Sequence, residues 1–224
     1  MRPVRKRKSF IATVAAAAVV VIGLLAGINA SAGPALASVT SSSVPANYGA
    51  LPAAWHGYAP PAAQAASATV CSNSEAIFNK NSGKVLEVYD SSTANGGTVD
   101  QWAYNGTQTQ HWCFITVATL SGGIPVYEII NNNSGKCLDI PNDNVANGQH
   151  LQQWTCNGNE QQDWAWFNED TYDLIASATN ASANMGYLWM VEVYDSSTAN
   201  GGEVDIWTGN NTATQHWCPG EACS

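Results

Sequence analysis

Cationic side chains are almost missing from this 224-residue chain. Of eight Lys and Arg, five lie in positions 2–8, so Lys80, Lys84 and Lys136 stand against 17 acidic residues. Without its first residues the polypeptide carries a net charge near −14, counting His as neutral. Such a surface repels phosphate backbones, which excludes nucleic acid as a partner and leaves neutral or cationic ligands open. Metal-ligand spacing is lacking too: the cysteines form no Cys-x-x-Cys and the histidines no paired pattern, so neither metal nor cofactor is expected. Asp90 and Asp143 sit among Ser and Asn, but the D-x-D-x-D-G ladder and distal Glu of a calcium loop are absent, and ordinary turns are expected. No window carries a helical period. No Ser–His or Cys–His pairing stands out, since His111 and His216 lie inside Gln-His-Trp tripeptides.

What is present begins with a basic stretch, Arg2–Lys8, and an apolar run from Phe10 to Ile28. Small-residue cleavage patterns follow at Ala30-Ser-Ala32 and Ala35-Leu-Ala37. That order is a secretory signal peptide, assigned to residues 1–37. The apolar run is nearly long enough to span a bilayer. Two Ala-x-Ala sites follow it and no basic stop sequence does, so cleavage is expected, with no stable membrane insertion afterwards. Residues 38–70 are rich in Ala, Ser and Pro without apolar periodicity, and read as a disordered linker. These 33 residues leave no room for a catalytic domain between cleavage site and domain. Residues 71–224 amount to one domain and contain all six cysteines. An even number in an exported chain predicts disulfides. A secreted, extracellular monomer is expected.

The stretch EVYDSSTANGG occurs at Glu87–Gly97 and again, letter for letter, at Glu192–Gly202, 105 positions on. A third copy lies halfway. Asn81-Ser-Gly-Lys84 recurs as Asn133-Ser-Gly-Lys136, and Leu86-Glu87-Val88 aligns with Leu138-Asp139-Ile140 and Val191-Glu192-Val193. Asn95-Gly96, Asn147-Gly148 and Asn200-Gly201 match, as do Trp102, Trp154 and Trp207 at intervals of 52 and 53. Gln110-His-Trp112, Gln162-Asp-Trp164 and Gln215-His-Trp217 close each copy. Every copy alternates short apolar runs with Asn/Gly turns, giving four strands per unit of about 52 residues and about twelve in all. An all-β, closed barrel capped by hairpins leaves few exposed edges. The tryptophans of Gln-x-Trp would fill its centre around a pseudo-threefold axis. They and their glutamines are read first as core and turn-fixing residues.

Three Gln-x-Trp tripeptides in register with upstream Leu-(Asp/Glu)-Val runs resemble the ricin-type β-trefoil lectins, a family also found as carbohydrate-binding modules appended to glycoside hydrolases. The resemblance covers about 150 residues and implies a β-trefoil that binds sugars without catalysis. A sugar needs an aromatic plate for its C–H face, with a carboxylate and amides for its hydroxyls. In the family these are an Asp where the second strand begins, a Gln and an aromatic on the third strand, and an amide beside Gln-x-Trp. The middle unit matches best, with Asp139, Gln152, Trp154, Gln161 and Gln162, and with Asn157 and His150 nearby. The resemblance also implies a Cys137–Cys156 disulfide clamping this site.

Units one and three depart alike. Glu87 and Glu192 replace Asp, and Asp100 and Asp205 replace Gln, while Trp102 and Trp207 remain as platforms beside Gln110 and Gln215. Thr109 and Thr214 stand where an amide would help. These units are weaker candidates for sugar. For the remaining cysteines, Cys71–Cys223 with Cys113–Cys218 and Cys71–Cys113 with Cys218–Cys223 both stay open. A glycosidase needs two carboxylates ~5–9 Å apart across one bond, whereas symmetry places Glu87 and Glu192 on different lobes. The alternative to a lectin is a trefoil that binds a protein partner through an irregular loop, such as Thr171–Trp189, where the third unit loses the Asn-Ser-Gly-Lys signature.

Overall fold

The computed structural model describes residues 73–120, 123–169, 171–179 and 188–223. The expected signal peptide and linker, and the centre of the 171–189 loop, lie outside these residues. Thirteen strands follow one another: β1 (Ile77–Asn79), β2 (Val85–Val88), β3 (Gly97–Trp102), β4 (Trp112–Leu120), β5 (Ile124–Asn131), β6 (Cys137–Asp139), β7 (Gln149–His150), β8 (Gln152–Trp154), β9 (Asp163–Asn168), β10 (Asp173–Ser177), β11 (Trp189–Val193), β12 (Gly202–Thr208) and β13 (Trp217–Pro219). There is one more than the repeat predicts. The third strand of the middle unit is interrupted at Leu151, whose N–H donates 2.9 Å to Val204 O of the next unit, as Val99 N–H does to Leu151 O at 3.2 Å.

The fourth strand of each unit pairs with the first strand of the next. Thus β4 pairs β5, β9 pairs β10, and β13 pairs back to β1. Within a unit the first strand also meets the fourth: β5 with β9, β10 with β13, and a bridge between Glu75 and Trp112. Six strands therefore close on themselves, and among the described residues no barrel edge is left to template pairing with another chain. The hairpins β2–β3, β6–β8 and β11–β12 cap one end. They touch in a ring, through Gly97–Gln153, Ile206–Gln149 and Gly202–Gln101. This is a β-trefoil.

Alternating apolar residues of strand and hairpin meet in one cluster that includes Ile77, Leu86, Val99, Ile129, Leu138, Val191 and Ile206. Trp112, Trp164 and Trp217 are fully buried in it. Each indole N–H finds a backbone carbonyl of its own unit's second strand: Leu86 O at 2.9 Å, Leu138 O at 3.1 Å and Val191 O at 2.9 Å. The rings thus fill the centre while fixing the cap to the barrel. Asn79 and Asn131 explain the Asn-Ser-Gly-Lys motif, because each side-chain oxygen accepts from the two following Asn and Ser N–H groups. In the third unit Ser177 takes that place on the strand opposite Trp164.

Cys137 is bonded to Cys156 and Cys218 to Cys223. The second bridge excludes the Cys71–Cys223 with Cys113–Cys218 arrangement. Cys113 is disulfide-bonded as well. Asp90–Ser91, Asn142–Asp143 and Asp195–Ser196 all adopt left-handed backbone with φ between 52° and 55°. They are tight turns after the second strands, a conformation that Asn and Asp tolerate best among residues with a Cβ.

Candidate functional site

One device recurs in each unit. A short 3₁₀ turn, at Gln108–Gln110, Glu160–Gln162 and Ala213–Gln215, ends on the Gln of Gln-x-Trp. That Gln is fully buried. Its amide N–H donates to the second-strand carboxylate: Gln110 to Glu87 at 2.7 Å, Gln162 to Asp139 at 2.9 Å, Gln215 to Glu192 at 2.8 Å. A second donation goes to the carbonyl after the platform Trp, at Ala103, Thr155 and Thr208. Its oxygen accepts from the N–H of Asn105, Asn157 or Asn210. The glutamine therefore stitches second strand, third strand and turn into one rigid cap. The extra methylene of Glu87 and Glu192 does not break the tie.

In the middle unit Asp139 faces Gln152 across the β6–β8 hairpin. Gln152 donates 2.6 Å to Asp139 Oδ1 while Gln162 serves Oδ2. Both oxygens are thus engaged, and each keeps one acceptor direction for a ligand hydroxyl. Burial pushes the Asp139 carboxyl up, and these two hydrogen bonds oppose the shift. Trp154 lies at the hairpin end with 39% of its surface exposed, a large apolar plate open to solvent. Gln161 is half-buried beside the site. Asn157 spends its side-chain oxygen on the N–H of Asn159, holding the turn. His150 does not join this group. Its strand partner is Asp205 of unit three, and its ring lies against Tyr194, with Nδ1 2.8 Å from Glu203. The bridge between Cys137 and Cys156 pins both edges of the middle hairpin.

Units one and three keep the frame and change its chemistry. Glu87 faces Asp100, and Glu192 faces Asp205, as cross-strand partners. Where Gln152 offers an amide, these positions offer a second carboxylate. Both oxygens of Asp100 and of Asp205 are buried without a hydrogen-bond partner. Burial first, then the nearby Glu87 and Glu203 charges, pushes the Asp100 carboxyl up to about 8. Burial, then Glu192, does the same for Asp205, to about 8. The platforms Trp102 and Trp207 are half-buried. Beside Trp207 a cleft of about 340 Å³ gathers Glu192, Tyr194, Asp195, Ser196 and Asn210. Thr109 does not stand in for the missing amide, because its hydroxyl donates 2.9 Å to Val88 O. Thr214 is turned to Thr212 and Glu192.

The repeated eleven residues acquire a role here that their sequence alone does not disclose. Each Asn-Gly of that loop reaches into the next unit around the ring. The side-chain oxygens of Asn95, Asn147 and Asn200 accept from the N–H after the neighbour's platform Trp, at Thr155, Thr208 and Ala103, at 2.7–3.0 Å. The following glycine has φ near 80° and lies flat on that neighbour's site. A Cβ at Gly96 would come 3.8 Å from Gln152 Oε1, and one at Gly201 3.9 Å from Asp100 Oδ2. The signal that could have revealed this is Asn-Gly in phase in all three copies; its target follows only from ring closure. Among the described residues, the metal-ligating types that converge are Glu128, Cys137 and Cys156, and both sulfurs there belong to the disulfide.

Residues 67–120 and 108–186 match the family described as ricin-type beta-trefoil lectin domain-like. The chain belongs to this family. Solved structures agree on the ricin-type trefoil fold. The designed threefold-symmetric protein ThreeFoil superposes with a TM-score of 0.59 at 24% identity, over 66% of this chain and 98% of its own. An exo-beta-1,3-galactanase from Clostridium thermocellum gives 0.59 at 33% identity, over 68% of this chain. This chain spans only 31% of that enzyme's length. A ricin B-like lectin of Macrolepiota procera, in complex with lactose, gives 0.51 at 16% identity over 66% of this chain and 95% of its own. No curated protein matches.

Proposed function

We propose that this ricin-type trefoil is a secreted, non-catalytic, monomeric lectin that binds neutral sugars of a polysaccharide or glycan. The observation that carries the reading is Trp154, an exposed indole beside the hydrogen-bonded Asp139–Gln152 pair on one rigid hairpin. The plate takes the C–H face of a sugar, and the pair's remaining acceptor directions and Gln161 take its hydroxyls. The cleft at Trp207, with Tyr194 and Asn210, offers unit three as a second platform. Catalysis is not supported, because Gln110, Gln162 and Gln215 hold the second-strand carboxylates as structural acceptors. Single shallow sites of this kind hold sugar at ~1 mM to ~10 µM, and several on one rigid body gain avidity on a repeating polymer. The complex of one relative with lactose, and the exo-beta-1,3-galactanase that is another, make galactose-containing glycans the first ligands to try.

The test is retention of the mature protein on insoluble polysaccharides and immobilised glycans, with Trp154→Ala and the triple Trp102/Trp154/Trp207→Ala variant alongside. Retention lost mainly with Trp154 supports the middle unit as the principal site, and loss only in the triple variant places binding in the flanking units as well. A folded wild type that is retained by no glycan would sink the lectin reading and turn attention to a protein partner at residues 171–189.

A further inference from the structure

One large cleft does not lie over a platform indole. It runs between units one and three, measures about 510 Å³, and is walled by Tyr89 and Tyr194, the equivalent tyrosines of the duplicated loops. Both rings are exposed, at 54% and 43%. Asp100 lines it from below, beside Gly201 of the neighbouring loop, and Asp195 and Glu203 line its rim. No Lys or Arg lines it. Asp100 is 1% exposed and neither of its oxygens has a partner. An orphaned buried carboxylate beneath two further acids is costly unless a proton or a cation completes it.

Symmetry supplies two internal controls. At the positions equivalent to Glu203 stand Thr98 and His150, and Pro141 replaces one of the two tyrosines in each related cleft. In the middle unit the Asp100 position is Gln152, which is satisfied by Asp139. The combination of three acids and two tyrosines is therefore particular to this cleft. His150 borders it, with Nδ1 2.8 Å from Glu203 and its ring against Tyr194. The cleft also shares Tyr194 and Asp195 with the sugar platform at Trp207, so the two are contiguous.

We propose that the cleft between units one and three binds the protonated amino group of an amino sugar, within a glycan that continues onto the Trp207 platform. The tyrosines flank the ring and face the cation, Glu203 and Asp195 receive the ammonium at the rim, and Asp100 supplies the charge beneath it. The high value of Asp100, about 8, fits a carboxyl that surrenders its proton only when a cation arrives. This assignment rests on the lectin reading for the adjoining platform but not for the acidic cleft itself.

The experiment is calorimetric titration of the full secreted protein with a β-1,4-linked glucosamine hexamer and with its fully N-acetylated counterpart, at pH 6 in a chelator and at two salt concentrations. A charge-assisted contact predicts about tenfold tighter binding of the amine, weakened by salt. Asp100→Asn and Glu203→Gln should each bring the amine-to-acetyl ratio towards one, with folding checked by near-ultraviolet circular dichroism. Equal affinity for the two hexamers, or a preference that persists in the double variant, would overturn the proposal. Because the polysaccharide panel reads neutral glycans through the tryptophans, failure here with retention there removes the amine site alone. Binding of neither hexamer and of no neutral glycan removes both.

Discussion

The middle unit and its two flanks share a backbone, a clamped glutamine and a platform tryptophan, yet they differ in how one cross-strand pair is satisfied. Asp139 meets an amide, and both of its oxygens are occupied. Glu87 and Glu192 meet a second carboxylate whose oxygens have no hydrogen-bond partner. The same position thus accepts a carboxylate–amide hydrogen-bonded pair or an acid pair that must hold a proton. What makes both tolerable is the glutamine clip, which fixes the second-strand carboxylate independently of its partner. The fold is therefore insensitive to the pair, and the pair is free to set the ligand. The middle hairpin is also stapled by a disulfide, whereas Val85 and Tyr104 occupy the equivalent positions in unit one.

Removing the staple should have the largest effect. Replacing Cys137 and Cys156 together by Ser should cost about 3 kcal/mol in the chain-entropy picture, read by urea unfolding, and should make the middle hairpin as dependent on its clip as the flanks are. Next, Gln152→Asp converts the middle pair into a flank-like one. Two facing buried carboxylates should cost about 2 kcal/mol at pH 8 and much less at pH 5; equal loss at both pH values would contradict the assigned electrostatic origin.

The reverse change sharpens the comparison. Asp100 and Asp205 titrate near 8 in the folded protein against an ordinary value of 3.8. Between those values the native state holds protons that the unfolded chain has released, so unfolding free energy is greatest below about pH 4 and falls as pH rises through 8. Asp100→Asn and Asp205→Asn, which can donate to Glu87 and Glu192, should each stabilise by about 1–2 kcal/mol at pH 8 and flatten the melting temperature between pH 5 and 8. The smallest effect is expected of Asn95→Ala, Asn147→Ala and Asn200→Ala, which remove exposed contacts between units, two each for Asn95 and Asn147 and one for Asn200, for about 1 kcal/mol apiece.

Much of this was legible in the sequence because the repeat does the reading. A period of 52–53 residues with Gln-x-Trp in phase fixes three equivalent units, and only a closed arrangement lets three buried tryptophans share one core. The substitutions at Asp100 and Asp205 were visible too, as departures from the middle unit. Less legible was everything that depends on closure. His150 lies two residues from Gln152 in the chain and belongs to the site of unit three, since the ring of hairpins carries it across. Glu203 faces Asp100 for the same reason, from 103 residues away. Strand register between hairpins is set by packing around the axis, and no local pattern encodes it.

The most direct measurement is a carboxyl-detected nuclear magnetic resonance titration of the uniformly labelled protein from pH 3 to pH 9. The account predicts two Asp side-chain resonances with midpoints near 8, one lost in Asp100→Asn and the other in Asp205→Asn. Every Asp titrating below about pH 5, as an ordinary carboxylate does, would contradict the claim that three copies of one fold carry two different site chemistries.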